Sequence, residues 1–277
     1  MSMKEAMNAL TALISESVPE SDSEYIGEDG LLHCSVCHKQ TERINSIPEL
    51  GIKSKVRCIC DCRLKEKAEY EEGIRQDELL RKRRVCFPES NMARWTFEND
   101  DGKNPKLSEA MKNYVKHFTE FKKDGKGLLL YGTVGTGKTY LAACIANRMI
   151  DEDHDVLFRT FKQIERELWN ANDKTAYMNS LNRYPLIIFD DLGAERESKY
   201  MADIVFDIID SRYKAGLPFI ITTNLTADEL KKPENVSCAR IYDRVLERCH
   251  PVAVDGFSRR RQKVKESFHD VQNKLGL

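Results

Sequence analysis

The residues with the clearest chemical purpose are Tyr131-Gly132-Thr133-Val134-Gly135-Thr136-Gly137-Lys138-Thr139. An apolar run, Leu128-Leu129-Leu130, precedes them, and a helix-favouring run, Tyr140-Leu141-Ala142-Ala143-Cys144-Ile145-Ala146, follows. Strand, glycine loop and helix in that order make a phosphate cradle. The glycines let successive backbone N–H groups turn inward, and the helix starting near Gly137 adds its positive end. Lys138 is placed to reach the β- and γ-phosphates of a nucleotide, and the Thr139 hydroxyl to ligate Mg²⁺. The expected nucleotide contacts are Gly132, Thr133, Gly135, Thr136, Gly137, Lys138, Thr139 and Tyr140. The chain is expected to bind a nucleoside triphosphate.

A second group lies about fifty residues on. Leu186-Ile187-Ile188-Phe189-Asp190-Asp191 reads as a buried strand that delivers carboxylates to the edge of a sheet, beside the phosphate loop. Asp190 is expected to hold Mg²⁺ with Thr139, and Asp191 to polarise the attacking water. Phe219-Ile220-Ile221-Thr222-Thr223-Asn224 repeats the pattern. Its terminal amide either orients that water or caps a turn.

A third group is sulfur. Of nine cysteines, five fall between Cys34 and Cys62. Clustered cysteines in a chain without a secretion signal point to metal, not to disulfides. Cys34 and Cys37 have the two-residue gap of a metal knuckle, and Cys58, Cys60 and Cys62 offer three thiolates at one-residue gaps. The favoured zinc set is Cys34, Cys37, Cys58 and Cys60, with Cys62 competing and His33 or His38 behind them. Without an accompanying His and Glu pattern, the site reads as structural, not catalytic.

These groups need an α/β scaffold. Strands are expected at Gly127–Leu130, Val156–Phe158, Leu186–Phe189, Phe219–Thr223 and Pro251–Val254. Helices are expected at Leu107–Lys122, Thr139–Ile150, Lys162–Ala171, Tyr200–Tyr213 and Cys238–Arg248. Near-continuous apolar strands imply a parallel sheet covered on both faces. The reading divides the chain into an amphipathic helix and flexible joint (1–30), a zinc module (31–66), a charged linker helix (67–94) and an ATPase domain (95–277). In the linker, Arg81-Lys82-Arg83-Arg84 is either a phosphate-contacting patch or a solvated helix end, and Pro88 stops the helix.

With 277 residues, 41% hydrophobic and 32% charged, the chain allows one large domain plus a small one. Lys plus Arg is 44 against 45 for Asp plus Glu, so nucleic-acid binding must use local patches. No apolar run approaches the roughly 18 residues of a membrane span, and residues 1–17 lack the apolar core of a secretion signal. A cytoplasmic location without membrane contact is expected.

The phosphate loop is a Walker A sequence, and it is followed by Asp-Asp-Leu-Gly-Ala-Glu, Thr-Thr-Asn-Leu and Arg240-Ile241-Tyr242-Asp243-Arg244. In that order the set resembles the P-loop AAA+ ATPases of the DnaC/DnaI replicative-helicase-loader and IstB group, from about Trp95 to Arg260. The resemblance implies slow, DNA-coupled ATP hydrolysis with Asn224 as sensor 1. Arg244 would be an arginine finger reaching a neighbouring subunit's nucleotide. Gly256-Phe257-Ser258-Arg259-Arg260 is similar to the group's sensor 2 pattern, which makes Arg260 the candidate and Arg259 and Arg261 its competitors. Asp191 stands where such enzymes usually have Glu, which suits a switch more than a motor. The resemblance further implies a hexameric replicative helicase, single-stranded DNA and self-association through the ATP site as partners. Because loaders of the DnaI type carry a cysteine module, the cysteine cluster favours a loader. A transposition helper and a small-molecule P-loop kinase are the alternatives.

Overall fold

The computed structural model describes residues 23–47, 51–88, 91–193, 199–256 and 258–275. The expected N-terminal helix over residues 1–17 lies outside them, as do Ala194 and Glu195 of the acidic strand motif and Phe257. The chain forms two compact units, Met1–Asp77 and Glu78–Leu277, which meet within one long helix.

The first unit is built from two antiparallel hairpins. Strand β1 (Glu24–Ile26) pairs with β2 (Leu32–Cys34), and β3 (Glu42–Ile47) pairs with β4 (Ile52–Arg57). Residues 24–26, read from sequence as joint, are thus strand. Helix α1 (Asp61–Cys86) follows. With so few apolar residues to bury, an ionic staple contributes: the buried Glu24 carboxylate accepts from Arg57 of β4 at 2.8 Å and meets Arg63 of α1 at 3.1 Å. One acid thereby ties three elements together.

The second unit is a parallel sheet between helices. Its strands are β5 (Gly127–Tyr131), β6 (Val156–Thr160), β7 (Leu186–Leu192), β8 (Phe219–Thr223) and β9 (Cys249–Ala253), in the order β6-β7-β8-β5-β9. Alternation along each strand splits the core in two. Leu128, Leu130, Leu186, Ile188 and Ile220 pack into one layer with α2 (Pro105–Lys116) and α4 (Lys138–Asp151). Leu129, Ile187, Phe189, Phe219 and Ile221 pack into the other, with α5 (Phe161–Asn170), α7 (Lys199–Lys214) and α9 (Val236–Arg248). Gly127 is obligatory here, since a Cβ would stand 1.7 Å from the Phe219 carbonyl oxygen.

Three sequence expectations change in detail. The helix expected over 107–122 breaks at His117 into α2 and α3 (Phe118–Asp124); the break seats Phe118 in the core against Tyr114 and His154. The short helices α6 (Lys174–Leu181) and α8 (Ala227–Lys231) and the terminal α10 (Arg259–Leu275) were not expected. The basic run at the end of α1 divides: Arg81 and Arg84 are exposed, as at a solvated helix end, whereas Lys82 and Arg83 are engaged. Lys82 is buried and donates to the Asp153 carbonyl and carboxylate at 2.8 and 2.6 Å, and Arg83 pairs with Asp151. With Leu79, Cys86 and Phe87 in the core, the last turns of α1 belong to the second unit.

One buried cation holds the strand entrances. Arg212 of α7 is fully buried and donates to the carbonyls of Tyr184 (2.8 Å) and Pro218 (2.6 Å), just ahead of β7 and β8. Burial pulls its guanidinium down to about 10. Arg212→Met fills the space but orphans those carbonyls, so denaturant unfolding should show a loss of about 3 kcal/mol. A loss below about 1 kcal/mol would mean that the carbonyls find other donors.

Candidate functional site

The phosphate loop leaves β5 and runs into α4. Gly132, Gly135 and Gly137 have φ of 142°, 85° and 107°, a region that side chains avoid, and Gly137 caps α4. The Lys138 ammonium donates to the carbonyls of Gly132 at 2.8 Å and Thr133 at 2.7 Å, which folds the lysine back along its own loop. Thr136 donates to Thr133 at 3.0 Å and closes the turn.

Strands β7 and β8 bring their polar ends to the same edge. The Thr139 hydroxyl donates to Asp190 Oδ1 at 3.0 Å, and Thr222 donates to the same oxygen at 2.5 Å. Thr222 also accepts the Asp191 N–H at 2.9 Å. After Phe189 the register shifts, and Asp191 takes a left-handed φ of 66°. The irregularity turns two successive carboxylates to different tasks. Asp190 is buried, whereas Asp191 is exposed and accepts the Asn224 side-chain N–H at 2.9 Å. Thr222 was passed over in the sequence because it sits inside the apolar run of β8; only the sheet shows that it bridges the two acids.

Lys138, Thr139, Asp190, Asp191, Asn224 and Arg260 line one cleft of about 410 Å³, within the range of small-ligand sites. A second cavity of about 570 Å³ adjoins it through Gly137, Tyr140, Trp95 and Arg260. Its walls include the rings of Trp95 and Tyr140, with centroids 5.7 Å apart, and Asp100 and Asp101. The sequence reading used Trp95 only to mark where the resemblance begins, although an aromatic residue there was the available signal.

The electrostatics fit a nucleotide and a divalent cation. Burial pushes the Asp190 carboxyl up, against the hydrogen bonds of Thr222 and Thr139. Burial also pulls the Lys138 ammonium down, against Asp191 and Asp190. A cation beside Asp190 and phosphates beside Lys138 would each offset the burial of a charge.

The triple arginine divides its work. Arg259 pairs with Asp101 at 3.0 Å and lies against Gly137, where a Cβ would be 2.7 Å from its Nη1. Arg260 lines the cleft, and Arg261 is exposed. Arg244 is not among the residues lining this chain's cleft. On α9 it donates to Asp210 at 2.7 Å and lies over the Phe206 ring at 4.6 Å. Glu247, on the same helix, accepts from Tyr213 at 2.9 Å.

The cysteine centre corrects one expected ligand. Four thiols, of Cys34, Cys37, Cys60 and Cys62, lie within 4.8 Å of one another, and Cys58 is not among them. Cys58 continues β4: its N–H donates to Thr41 at 2.8 Å and its thiol faces the Gln40 carbonyl at 3.4 Å. The pair that converges with the knuckle straddles the start of α1, where Leu64 N–H donates to the Cys60 carbonyl at 3.0 Å. His33 is engaged by Asp29 at 3.0 Å and by the His38 carbonyl at 3.1 Å, and His38 by Tyr25 at 3.1 Å. The donor set fits a soft divalent ion. The backbone N–H groups of Cys37 and Val36 bring the Cys34 thiol down to about 7, while the adjacent Cys37 thiol and burial hold Cys62 up at about 11. A divalent cation among the four sulfurs would offset the repulsion between thiolates.

Comparison with known proteins agrees with this architecture. A family described as IstB-like ATP binding protein matches residues 61–267. The replicative helicase loader DnaI of Bacillus subtilis (strain 168) is 27% identical over 260 residues, covering 86% of this chain and 81% of the relative. An ATP-binding protein of an insertion sequence in Mycobacterium tuberculosis (strain H37Rv) is 27% identical over 210 residues, covering 70% and 82%. A crystal structure of DnaI superposes with a TM-score of 0.52 at 29% identity, covering 62% of this chain and 94% of that one. The expected fold, a P-loop AAA+ sheet between helices behind a small cysteine-bearing unit, holds. From its phosphate loop, its paired acids and a family match spanning most of its length, the chain belongs to the IstB-like ATP-binding proteins.

Proposed function

We propose that the chain is an ATP-dependent loader that binds a hexameric replicative helicase and places it on single-stranded DNA. The observation that carries this reading is the similarity to DnaI across 86% of the chain, with a four-thiol centre ahead of the nucleotide unit. Bound ATP supplies a phosphoanhydride whose cleavage drives a change of state. Lys138 and the loop N–H groups would hold its phosphates, and Thr139 and Asp190 the Mg²⁺. The Asp191 carboxylate, steadied by Asn224, would accept a proton from the attacking water. Arg260 would contact the same nucleotide, and Arg244 the nucleotide of a neighbouring copy. Cys34, Cys37, Cys60 and Cys62 would hold one structural zinc, and the small unit would grip the helicase. No helix among the described residues is long and apolar enough to cross a membrane.

The test is capture of the host's replicative helicase by the tagged chain in the presence of ATP. Stoichiometric capture that weakens with Cys34→Ser is expected. Failure to capture it, with capture of a transposase instead, would favour the second reading, a transposition helper. That reading rests on the insertion-sequence relative, 82% of which is covered.

A further inference from the structure

We propose that Asp101 is a positioning residue of the nucleotide site: its ion pair draws the Arg259 guanidinium away from bound phosphates and so lets nucleotide leave. The inference rests on the nucleotide reading of the cleft and concerns how long the nucleotide stays.

Two carboxylates beside an anion site need a partner, because left bare they would repel a polyphosphate. Asp100 and Asp101 line the 570 Å³ cavity that adjoins the phosphate cleft. The cation they face is Arg259, 3.0 Å from Asp101 and 3.9 Å from Asp100. The Asp100 side chain is 7% exposed. One of its oxygens accepts from the Ser108 hydroxyl, and the other, Oδ1, is buried without a hydrogen-bond donor. Both acids therefore hold Arg259 to their side of the cavity.

The same guanidinium stands at the phosphate loop. The Arg259 backbone N–H donates to the Gly135 carbonyl at 2.9 Å, which fixes the start of α10 on the loop. A Cβ added to Gly137 would lie 2.7 Å from Arg259 Nη1, so the guanidinium touches the residue that caps α4. The N–H groups opening such a helix are where phosphates bind. An arginine fork matches phosphate oxygens as well as it matches a carboxylate. Arg259 is thus within reach of two kinds of anion, while Arg260 already lines the cleft.

The pair is not needed to hold the fold. The Tyr140 hydroxyl donates to the Thr96 carbonyl at 2.8 Å, and the Asn147 amide to the carbonyls of Met92 and Trp95 at 2.8 and 2.9 Å. Those bonds, with Ser108, already fix the segment ahead of α2. The Arg259 and Asp101 side chains are 23% and 36% exposed, and pairs open to water stabilise a fold little. What the pair can do is compete. With two arginines on the phosphates, substrate and product would be gripped alike, which slows release without favouring the reacting state. Asp101 biases Arg259 against that grip.

The discriminating change is Asp101→Asn, which keeps the oxygen that accepts the Lys103 N–H at 3.1 Å and removes the charge. Anisotropy of a fluorescent ATP analogue, with the full chain and Mg²⁺, reads affinity; stopped-flow displacement of a fluorescent ADP analogue reads release. Asp101→Asn should tighten the ATP analogue about fivefold and slow ADP release by a similar factor. A gain in affinity does not arise from a damaged site, so this result is separated from misfolding. The gain should also depend on the arginine: Asp101→Asn with Arg259→Ala should bind as Arg259→Ala alone does. If the double variant still binds more tightly than Arg259→Ala, the gain is only the removal of a repelling charge, and the positioning role is wrong. Unchanged or weaker binding by Asp101→Asn, beside normal binding by the wild type, would overturn the role and leave the nucleotide site standing. A wild-type chain that binds neither analogue would sink the nucleotide reading and this inference together.

Discussion

Chains carrying Lys138→Ala and chains carrying Arg244→Ala should each be nearly inactive in ATP hydrolysis, and part of the activity should return when the two are mixed. Lys138 lies in the cleft with Thr139, Asp190 and Asp191, so it would serve its own chain's nucleotide. Arg244 is not among the residues lining that cleft; Asp210 and the Phe206 ring hold its guanidinium on α9 instead. An arginine so presented is suited to a γ-phosphate on the next copy, because its charge is permanent and its fork matches phosphate oxygens. Copies joined in this way meet through unlike surfaces and propagate as a ring or helix. Trans-acting fingers in GTPase systems are worth about 10³–10⁵ in rate, so Arg244→Ala should lose most turnover while still binding nucleotide. Lys138→Ala should lose nucleotide contact itself. In an equal mixture, random pairing puts an intact Lys138 opposite an intact Arg244 at about a quarter of interfaces. Steady-state hydrolysis with single-stranded DNA present reads the recovery. Near-normal turnover of Arg244→Ala alone would reduce the residue to a partner of Asp210 and remove the shared site.

Asp190 and Lys138 were legible in the sequence because the chemistry of a phosphate loop demands fixed residue types at fixed spacing. The strands were legible for a related reason: burial on both faces writes a near-continuous apolar run. Other features depend on packing that spacing does not encode. Lys82 looks like surface charge until Asp153 is found against it. Asp191 owes its direction to a left-handed φ of 66°, which a run of Asp-Asp does not announce. Thr222 looks like strand filler until it is seen between the two acids. Helix α6 is short, and Leu181 is its one fully buried residue, so it leaves almost no periodic signal. Among the three arginines, Arg259 is assigned to Asp101 by a contact about 160 residues away in sequence, which no local motif contains.

The same limit governs the cysteine centre and gives the last large effect. Cys58, Cys60 and Cys62 are equivalent by spacing alone; the start of α1 separates them. Cys60 precedes the helix and Cys62 lies in its first turn, and both join the knuckle of Cys34 and Cys37, while Cys58 stays with β4 and the Gln40 carbonyl. Purified under reducing conditions, the chain should contain about one zinc per molecule, as a closed four-thiolate site does. Cys62→Ser should lose that zinc, whereas Cys58→Ser should keep it. The small unit has two short hairpins and little apolar interior, so a bound metal would contribute much of its stability. Chelation, or Cys62→Ser, should therefore expose residues around 31–66 to proteolysis. The second unit carries its own two-layer core, so binding of a fluorescent ATP analogue should change little. Helicase capture should fall with the zinc, because the gripping surface would unfold with its centre. Zinc retained by Cys62→Ser and lost by Cys58→Ser would show that the thiols regroup around the ion; zinc absent from the wild-type chain, with all five thiols freely titratable, would reject the metal centre outright.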